Sequence, residues 1–336
     1  MIIAVDATGG DYAPREMVKG AIKAAQEYDV GIALVGRKDI LHVHTGRRVG
    51  KAGITIIDAS QNIGSHESPV EAVRSKPDSS IVVGTNLVRD GLASAFVSAG
   101  NTGAVLYSAL AILGKIKGID RPAIGSILDI NTTTPALLID AGANANCRPG
   151  YLVQFAQLGT TYAREIFGVG SPSVGLLNNG EEEARGNRLA KESYQLLKKA
   201  ELNFIGNVEG QDIVSGKADV IVTDGFTGNV LLKLIEGLGE TFLQLRQVGR
   251  LFSRAYHPQG RALLLDVGLG SLIKRIDYRE YGGACLLGVN GHIIIAHGRS
   301  QATAIKNAIG LAKQTVEHDI CQKIKEENYE QAPLHK

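Results

Sequence analysis

Short β-rich apolar runs alternate with helical patterns along most of the chain. Ile2 to Val5, Gly31 to Val35 and Ile54 to Asp58 read as strands, and Pro14 to Tyr28 as a helix with proline near its first turn. A helix is predicted from Ser68, with Pro69 at its first position, and another from Ser79 to Asp90. Strands follow at Ala93 to Val97, Ile124 to Asp129 and Ala136 to Asp140, with a helix after Asn101. Beyond these come a helix from Pro149 to Phe167, a strand at Val174 to Leu177 and a helix from Gly186 to Ala200. Asn203 to Ile205, Val220 to Thr223 and Ile293 to Ala296 are further short strands. This alternation predicts a doubly wound α/β sheet with helices on both faces. No repeat, low-complexity tract or linker interrupts it, so 1–336 reads as one domain whose second lobe is interwoven with the first.

One stretch differs. Leu231, Leu234, Ile235, Leu238, Phe242, Leu245, Phe252 and Tyr256 recur at helical spacing until His257-Pro258-Gln259-Gly260 breaks the pattern. A second helical segment, Arg261 to Ile276, carries Leu263, Leu264, Leu265, Val267, Leu269, Leu272 and Ile273. Arg246, Arg250, Arg254, Arg261, Lys274 and Arg275 flank it. The pattern predicts a helical hairpin over 229–276 with an apolar, basic-edged tip. A tip of this kind suits a membrane surface, an acidic partner or a dimer contact.

Composition narrows the classes. Glycine is abundant at 41 of 336 residues and aromatics make up 5%, which suits an α/β protein with many tight turns. A net charge of +2 is too small to imply nucleic-acid binding. Cys147, Cys285 and Cys321 show no ligand or CxxC spacing and read as reduced thiols of a cytoplasmic protein. The N-terminal MIIAVDATGG passes directly from strand to turn, so no signal peptide is expected. No apolar run reaches the roughly 18 residues of a membrane span.

The candidate chemistry lies in five loops that follow strands: Asp6 to Asp11, Ser98 to Gly103, Asp140 to Asn144, Asn178 to Glu182 and Asp224 to Asn229. Ligands of open α/β sheets bind beyond the carboxyl ends of strands. Glycines there let backbone N–H groups approach an anion, and the next helix adds its positive end. Asn, Thr and Ser supply neutral donors for a phosphate or a developing oxyanion. Any one such loop is equally an ordinary turn, and Asp6 or Asp224 an ordinary helix cap; repetition at strand ends is the signal. GxGxxG after a strand, GxxxxGK[ST] and a nucleophile elbow at Ser98 are all missing. His42 and His44 could share a face, but no carboxylate or cysteine accompanies them at ligand spacing, so no metal site is expected.

The wording of these blocks is specific. AVDATGGDYAP (Ala4 to Pro14), FVSAGNTGA (Phe96 to Ala104), GIDRPAI (Gly118 to Ile124) and IDAGANANCRPGYLVQFA (Ile139 to Ala156) resemble the bacterial acyl-ACP:phosphate acyltransferase family, PlsX. GLLNNGEE (Gly175 to Glu182), GNVEG (Gly206 to Gly210), DVIVTDGFTGNVLLK (Asp219 to Lys233) and YGGACLLGVNG (Tyr281 to Gly291) resemble it too, in family order, to about Ala312. The resemblance implies a three-layer αβα fold similar to phosphotransacetylases and to the isocitrate/isopropylmalate dehydrogenases, usually as a homodimer. It implies synthesis of acyl phosphate from long-chain acyl-ACP and inorganic phosphate, with release of acyl carrier protein and without a cofactor or metal. The product would feed a glycerol-3-phosphate acyltransferase in phospholipid synthesis. It also implies peripheral membrane contact through the tip, here Leu251, Phe252, Leu263, Leu264, Leu265, Leu269 and Leu272. Two departures stand out: Thr8 where the family usually has Met, and Arg299 and Gln301 where Ser and Asp are usual.

On this reading Asn101, Asn229 and Asp224 are the candidate catalytic residues. Asp6, Gly9, Gly10, Ser98, Gly100, Thr102, Asn144, Asn178, Glu181, Thr227, Gly228, His297 and Arg299 are candidates for substrate binding. Which of Asp6, Asp224 or Glu209 orients a donor or takes a proton stays open. Phosphate is itself a competent nucleophile, so positioning and oxyanion stabilisation suffice and no covalent intermediate is needed. A phosphotransacetylase-like enzyme using acyl-CoA, a β-decarboxylating dehydrogenase and a non-enzymatic scaffold for the carrier protein and membrane are the competing classes.

Overall fold

The computed structural model describes residues 1–46, 53–130, 135–255 and 282–327. Its described strands form one sheet in the order β3-β2-β1-β4-β11-β10-β5-β6-β9-β7-β8. One half holds β1 (Ile2–Asp6), β2 (Gly31–Gly36), β3 (Ile54–Asp58), β4 (Ala95–Ser98) and β11 (His292–Ile295), all parallel. The other holds β6 (Ala136–Ile139), β7 (Val174–Leu177), β8 (Phe204–Val208) and β9 (Val220–Val222), also mutually parallel. Between them β5 (Ala123–Leu128) and β10 (Ala284–Leu287) pair antiparallel with each other, and antiparallel with β6 and β11 respectively. Three successive reversals make the two halves run in opposite directions.

Helices cover both faces of the sheet as expected, and the sheet is mixed, with an antiparallel centre. The C-terminal hairpin β10–β11 returns to the middle, so the lobes are interwoven as expected. The carboxyl ends of β1 and β4, however, lie at the opposite edge from those of β6 and β9.

Strand residues alternate between two helical layers, as a pleated, doubly covered sheet requires. Ile3, Val5, Ile32, Leu34, Leu137 and Ile139 face one layer, with α1 (Arg15–Tyr28), α2 (Lys38–Thr45), α6 (Pro149–Phe167), α7 (Arg188–Leu197), α10 (Ala302–Glu317) and α11 (Ile320–Glu326). Ala4, Ala33, Val35, Phe96 and Leu138 face the other, with α3 (Pro69–Ser75), α4 (Ser80–Arg89), α5 (Thr102–Ile112), α8 (Gly210–Ser215) and α9 (Gly225–Ala255). Sequence signals set several boundaries: proline begins α3 and α6, and Gly168 ends α6 in the left-handed region.

The helices α2 and α8 lie in stretches that the sequence reading left unassigned. His42 and His44 fall in α2, where positions two apart do not share a face, so the possible metal pair is lost. No group of three metal-ligating side chains occurs among the described residues. The first arm of the expected hairpin is α9, which carries Leu251 and Phe252 in its last turns. The second arm, with Leu263, Leu264, Leu265, Leu269 and Leu272, lies outside the described residues. Among the described residues no helix is long and apolar enough to cross a membrane.

Candidate active site

Two buried aspartates organise the loops. Asp6, at the end of β1, accepts the N–H groups of Thr8 and Gly9, both at 3.0 Å, and the Ser98 hydroxyl at 2.7 Å. The same Ser98 Oγ accepts the N–H of Gly100 at 3.0 Å, which ties the β1 and β4 loops together. Asp140, just beyond β6, accepts the N–H groups of Ile124, Gly142, Ala143 and Asn144 at 2.7–3.1 Å. Burying a carboxylate is costly unless donors converge on it, and in both loops the backbone supplies them.

Close approach dictates two glycines. Gly10 has φ +95, and a Cβ on it would sit 3.0 Å from the carbonyl oxygen of Gly298 and 3.2 Å from Ala99 Cβ. A Cβ on Gly228 would overlap the carbonyl oxygen of Asp140, because the first turn of α9 presses on the Asp140 loop.

Between the lobes lies a cleft of about 610 Å³ over the face of β5 and β10. At one end it is lined by Gly100, Asn101, Thr102 and Gly103, where β4 passes into α5, and by His297 and Gly298 beyond β11. At the other it meets Ala141, Gly142, Ala143 and Asn229. Leu106, Ile124, Leu128, Leu232 and Ile235 form an apolar wall, and Lys233 and Glu236 bring charge from α9. The antiparallel centre is what lets loops from opposite sheet edges reach one cleft: α9 starts at one edge and runs toward the other.

Several predicted residues gather in this cleft: Gly100, Asn101, Thr102, Asn229 and His297. Asn101 caps α5 by accepting the N–H of Ala104 at 3.1 Å, while its amide donates to the carbonyl oxygens of Gly64 and Glu67, both at 3.2 Å. Its side chain is thus engaged on both sides, and the first-turn backbone N–H groups of α5 are what the loop offers a ligand. Asp224 caps α9, accepting the N–H groups of Phe226 and Thr227 and the Thr227 hydroxyl at 2.8 Å. Asp6, Gly9, Gly10, Ser98 and Gly228 lie behind the lining, holding its shape. Asn144 is held by Asp140 and by the carbonyl of Pro122 at 2.8 Å.

The structure does not bring Asn178 and Glu181 to this cleft. They follow the near-edge strand β7, where Asn178 closes its own loop through Asn179 and Arg185 and Glu181 pairs with Lys217. Arg299 gives its backbone N–H to His297 Nδ1 at 3.1 Å and its side chain is exposed. Thr8, the departure in the first loop, hydrogen-bonds Asp6 at 3.1 Å and Ser80 at 2.6 Å. Glu209 is the N-cap of α8 and completes a reciprocal capping box with Asp212.

Comparison with known proteins assigns the chain to a family over nearly its full length. Residues 1–323 match the family model for fatty acid synthesis protein. The chain is 59% identical over 327 residues to a phosphate acyltransferase of Dehalococcoides mccartyi, covering 97% of this chain and 94% of the relative. It is 49% identical over 325 residues to one of Pelotomaculum thermopropionicum, with coverage of 97% and 94%. The chain belongs to the PlsX family of phosphate acyltransferases. Among solved structures it is similar in fold to a phosphotransacetylase from Streptococcus pyogenes, with TM-score 0.59 at 18% identity, covering 97% of this chain and 94% of that one. A branched-chain phosphotransacylase from Enterococcus faecalis V583 gives TM-score 0.58 at 15% identity, covering 95% and 100%.

As a member of this family the chain is an acyltransferase, and its cysteines are poor nucleophiles. Burial, then the neighbouring charge of Asp140, pushes the Cys147 thiol up to about 12. Burial, with a smaller effect of Cys321, does the same at Cys285, again to about 12, and burial raises Cys321. Three residues important to the geometry escaped the sequence reading. Asp140 reads as one more turn aspartate, and Lys233 and Glu236 as polar positions of a long helix. Only the path of α9 over the cleft distinguishes the latter two.

Proposed function

We propose that the chain transfers a long-chain acyl group from acyl carrier protein to inorganic phosphate, releasing the carrier thiol and acyl phosphate. One observation carries this: a single cleft takes in the first turn of α5, an anion-receptive helix end, together with Lys233 and an apolar wall. Thr102 and Gly103, in the first turn of α5, carry N–H groups without intrahelical partners, which can serve an oxyanion or phosphate. The apolar wall of Leu106, Ile124, Leu128, Leu232 and Ile235 suits an acyl chain.

A phosphate oxygen attacks the thioester carbonyl, and the oxyanion formed is stabilised by neutral donors at the helix end. The carbon–sulfur bond then breaks, and the proton carried by hydrogen phosphate ends on the carrier thiol. Holding both substrates in line supplies most of the acceleration, which agrees with cysteines too weakly ionised to attack. The acyl phosphate supplies a glycerol-3-phosphate acyltransferase in phospholipid synthesis. The protein works as a homodimer in the cytoplasm, peripherally membrane-associated through the tip at Leu251 to Ile273.

The deciding assay incubates the protein with acyl-ACP and phosphate and follows thiol and acyl phosphate together. Equimolar, phosphate-dependent release of both is expected, with acyl-CoA a much poorer donor. No phosphate-dependent thiol release would reject the reading, and preference for acyl-CoA would replace the carrier protein as donor. Leu264→Asp with Leu265→Asp should abolish co-sedimentation with anionic vesicles; undiminished co-sedimentation rejects the membrane contact.

A further inference from the structure

A carboxylate lines the same cleft as the first turn of α5. Glu236 Oε2 lies 3.3 Å from His297 Nε2, and the two side chains are 15% and 28% exposed. His297 Nδ1 accepts the N–H of Arg299 at 3.1 Å. An accepting Nδ1 leaves the imidazole proton on Nε2, so His297 donates to Glu236 and holds the carboxylate in one orientation. The parallel register ends at Ile295↔Ser98, so His297 and Gly100 each follow their paired strands by two residues, and both line the cleft with Glu236 and the first turn of α5. Among the described residues, Lys233, one turn earlier on α9, and Asp129 beyond β5 are the other charged side chains lining the cleft.

A fixed carboxylate repels a fully deprotonated oxyanion but attracts one that still carries a hydroxyl, which donates to it. Phosphate retains a proton in both forms abundant near neutral pH, whereas sulfate retains none. We infer that Glu236, oriented by His297, accepts the hydroxyl of bound hydrogen phosphate, selects phosphate against sulfate, and relays that proton to the leaving thiolate. This rests on the phosphate-dependent reaction proposed above. An unprotonated phosphate oxygen forms the carbon–oxygen bond, and the carbon–sulfur electron pair leaves on sulfur. The phosphate proton passes through Glu236 to that sulfur, giving acyl phosphate and thiol and restoring the carboxylate. Glu236 is the catalytic residue of this step and His297 its positioning residue.

The test measures phosphate KM and sulfate Ki in the thiol-release assay at matched ionic strength, for the wild type and Glu236→Gln. The ratio of sulfate Ki to phosphate KM should fall at least about tenfold in Glu236→Gln, the value of one charged hydrogen bond. His297→Ala should move the ratio in the same direction by less, and Glu236→Asp should restore part of it. A ratio unchanged in Glu236→Gln overturns the inference even where phosphate-dependent turnover stands; absent turnover in the wild type instead removes the reaction itself. Should Glu236→Gln not fold, thermal unfolding of the wild type decides. Phosphate should raise Tm at concentrations where sulfate does not, and equal shifts overturn the inference.

Discussion

The loops after β1 and after β6 share a chemistry and differ in use. Each is closed by a buried aspartate that gathers backbone N–H groups. The Asp6 loop leans on Gly100 and so supports the exposed first turn of α5, leaving backbone donors facing the cleft. The Asp140 loop is covered instead by the first turn of α9, so most of its donors are consumed internally. One cradle backs the α5 end of the cleft; the other anchors the helix that brings Asn229, Lys233 and Glu236 into the cleft lining. Similar loop wording therefore does not imply similar function, because what packs against a loop decides which donors stay available.

Four measurements sharpen or break this contrast. Asp140→Ala should have the largest effect, costing roughly 3–5 kcal/mol in denaturant unfolding, because several buried N–H donors lose their acceptor together. A loss below about 1 kcal/mol would show that the loop is not the anchor described. Gly228→Ala should cost about 2–4 kcal/mol, since its Cβ meets backbone that cannot move without shifting α9. Gly100→Ala is the counterpart: its Cβ would meet Asp6 Oδ2 at 3.1 Å and Ser98 Oγ at 3.2 Å, tight but adjustable. That variant should lose kcat/KM with little loss of stability; if both glycine variants instead lose stability equally, the two cradles are equivalent.

Asn101→Ala should cost about 1 kcal/mol through the lost cap, yet lower kcat/KM for phosphate by about tenfold or more as the α5 turn loosens. Unaltered kinetics would move the anion site elsewhere. The smallest effect lies outside both cradles. Burial lowers the pKa of His292 from 6.5, against the opposing pull of Asp319. The unfolded chain therefore takes up the proton first, so stability is full above pH 6.5, declines as pH falls from 6.5 toward the lower folded value, and levels off below that. His292→Gln should flatten the fall in Tm between neutral and mildly acidic pH, and an unchanged slope would place the acid sensitivity elsewhere.

Much of the strand-and-helix inventory was legible in the chain, for physical reasons. Runs such as Ile2 to Val5 and Val220 to Thr223 are too short and too apolar for surface helices, and Pro69 and Pro149 mark helix starts. The site was half legible. Gly100, Asn101, Thr102, Asn229 and His297 line the cleft, but Asn178 and Glu181, identical in type to true lining residues, sit at a far strand. Nothing local distinguishes them, because strand order is set by which strands pair, and pairing is a property of the whole sheet.

By itself, then, the sequence determined the element types, the family and the presence of glycine- and asparagine-rich loops at strand ends. These follow from periodicity, turn chemistry and the wording of contiguous blocks. Only the tertiary structure decided which loops share a cleft. Three antiparallel reversals at β10, β5 and β6 send the two halves in opposite directions, and α9 then has to cross the sheet face to join them. Glu236 meets His297 because of that crossing, over a sequence separation that no local pattern spans.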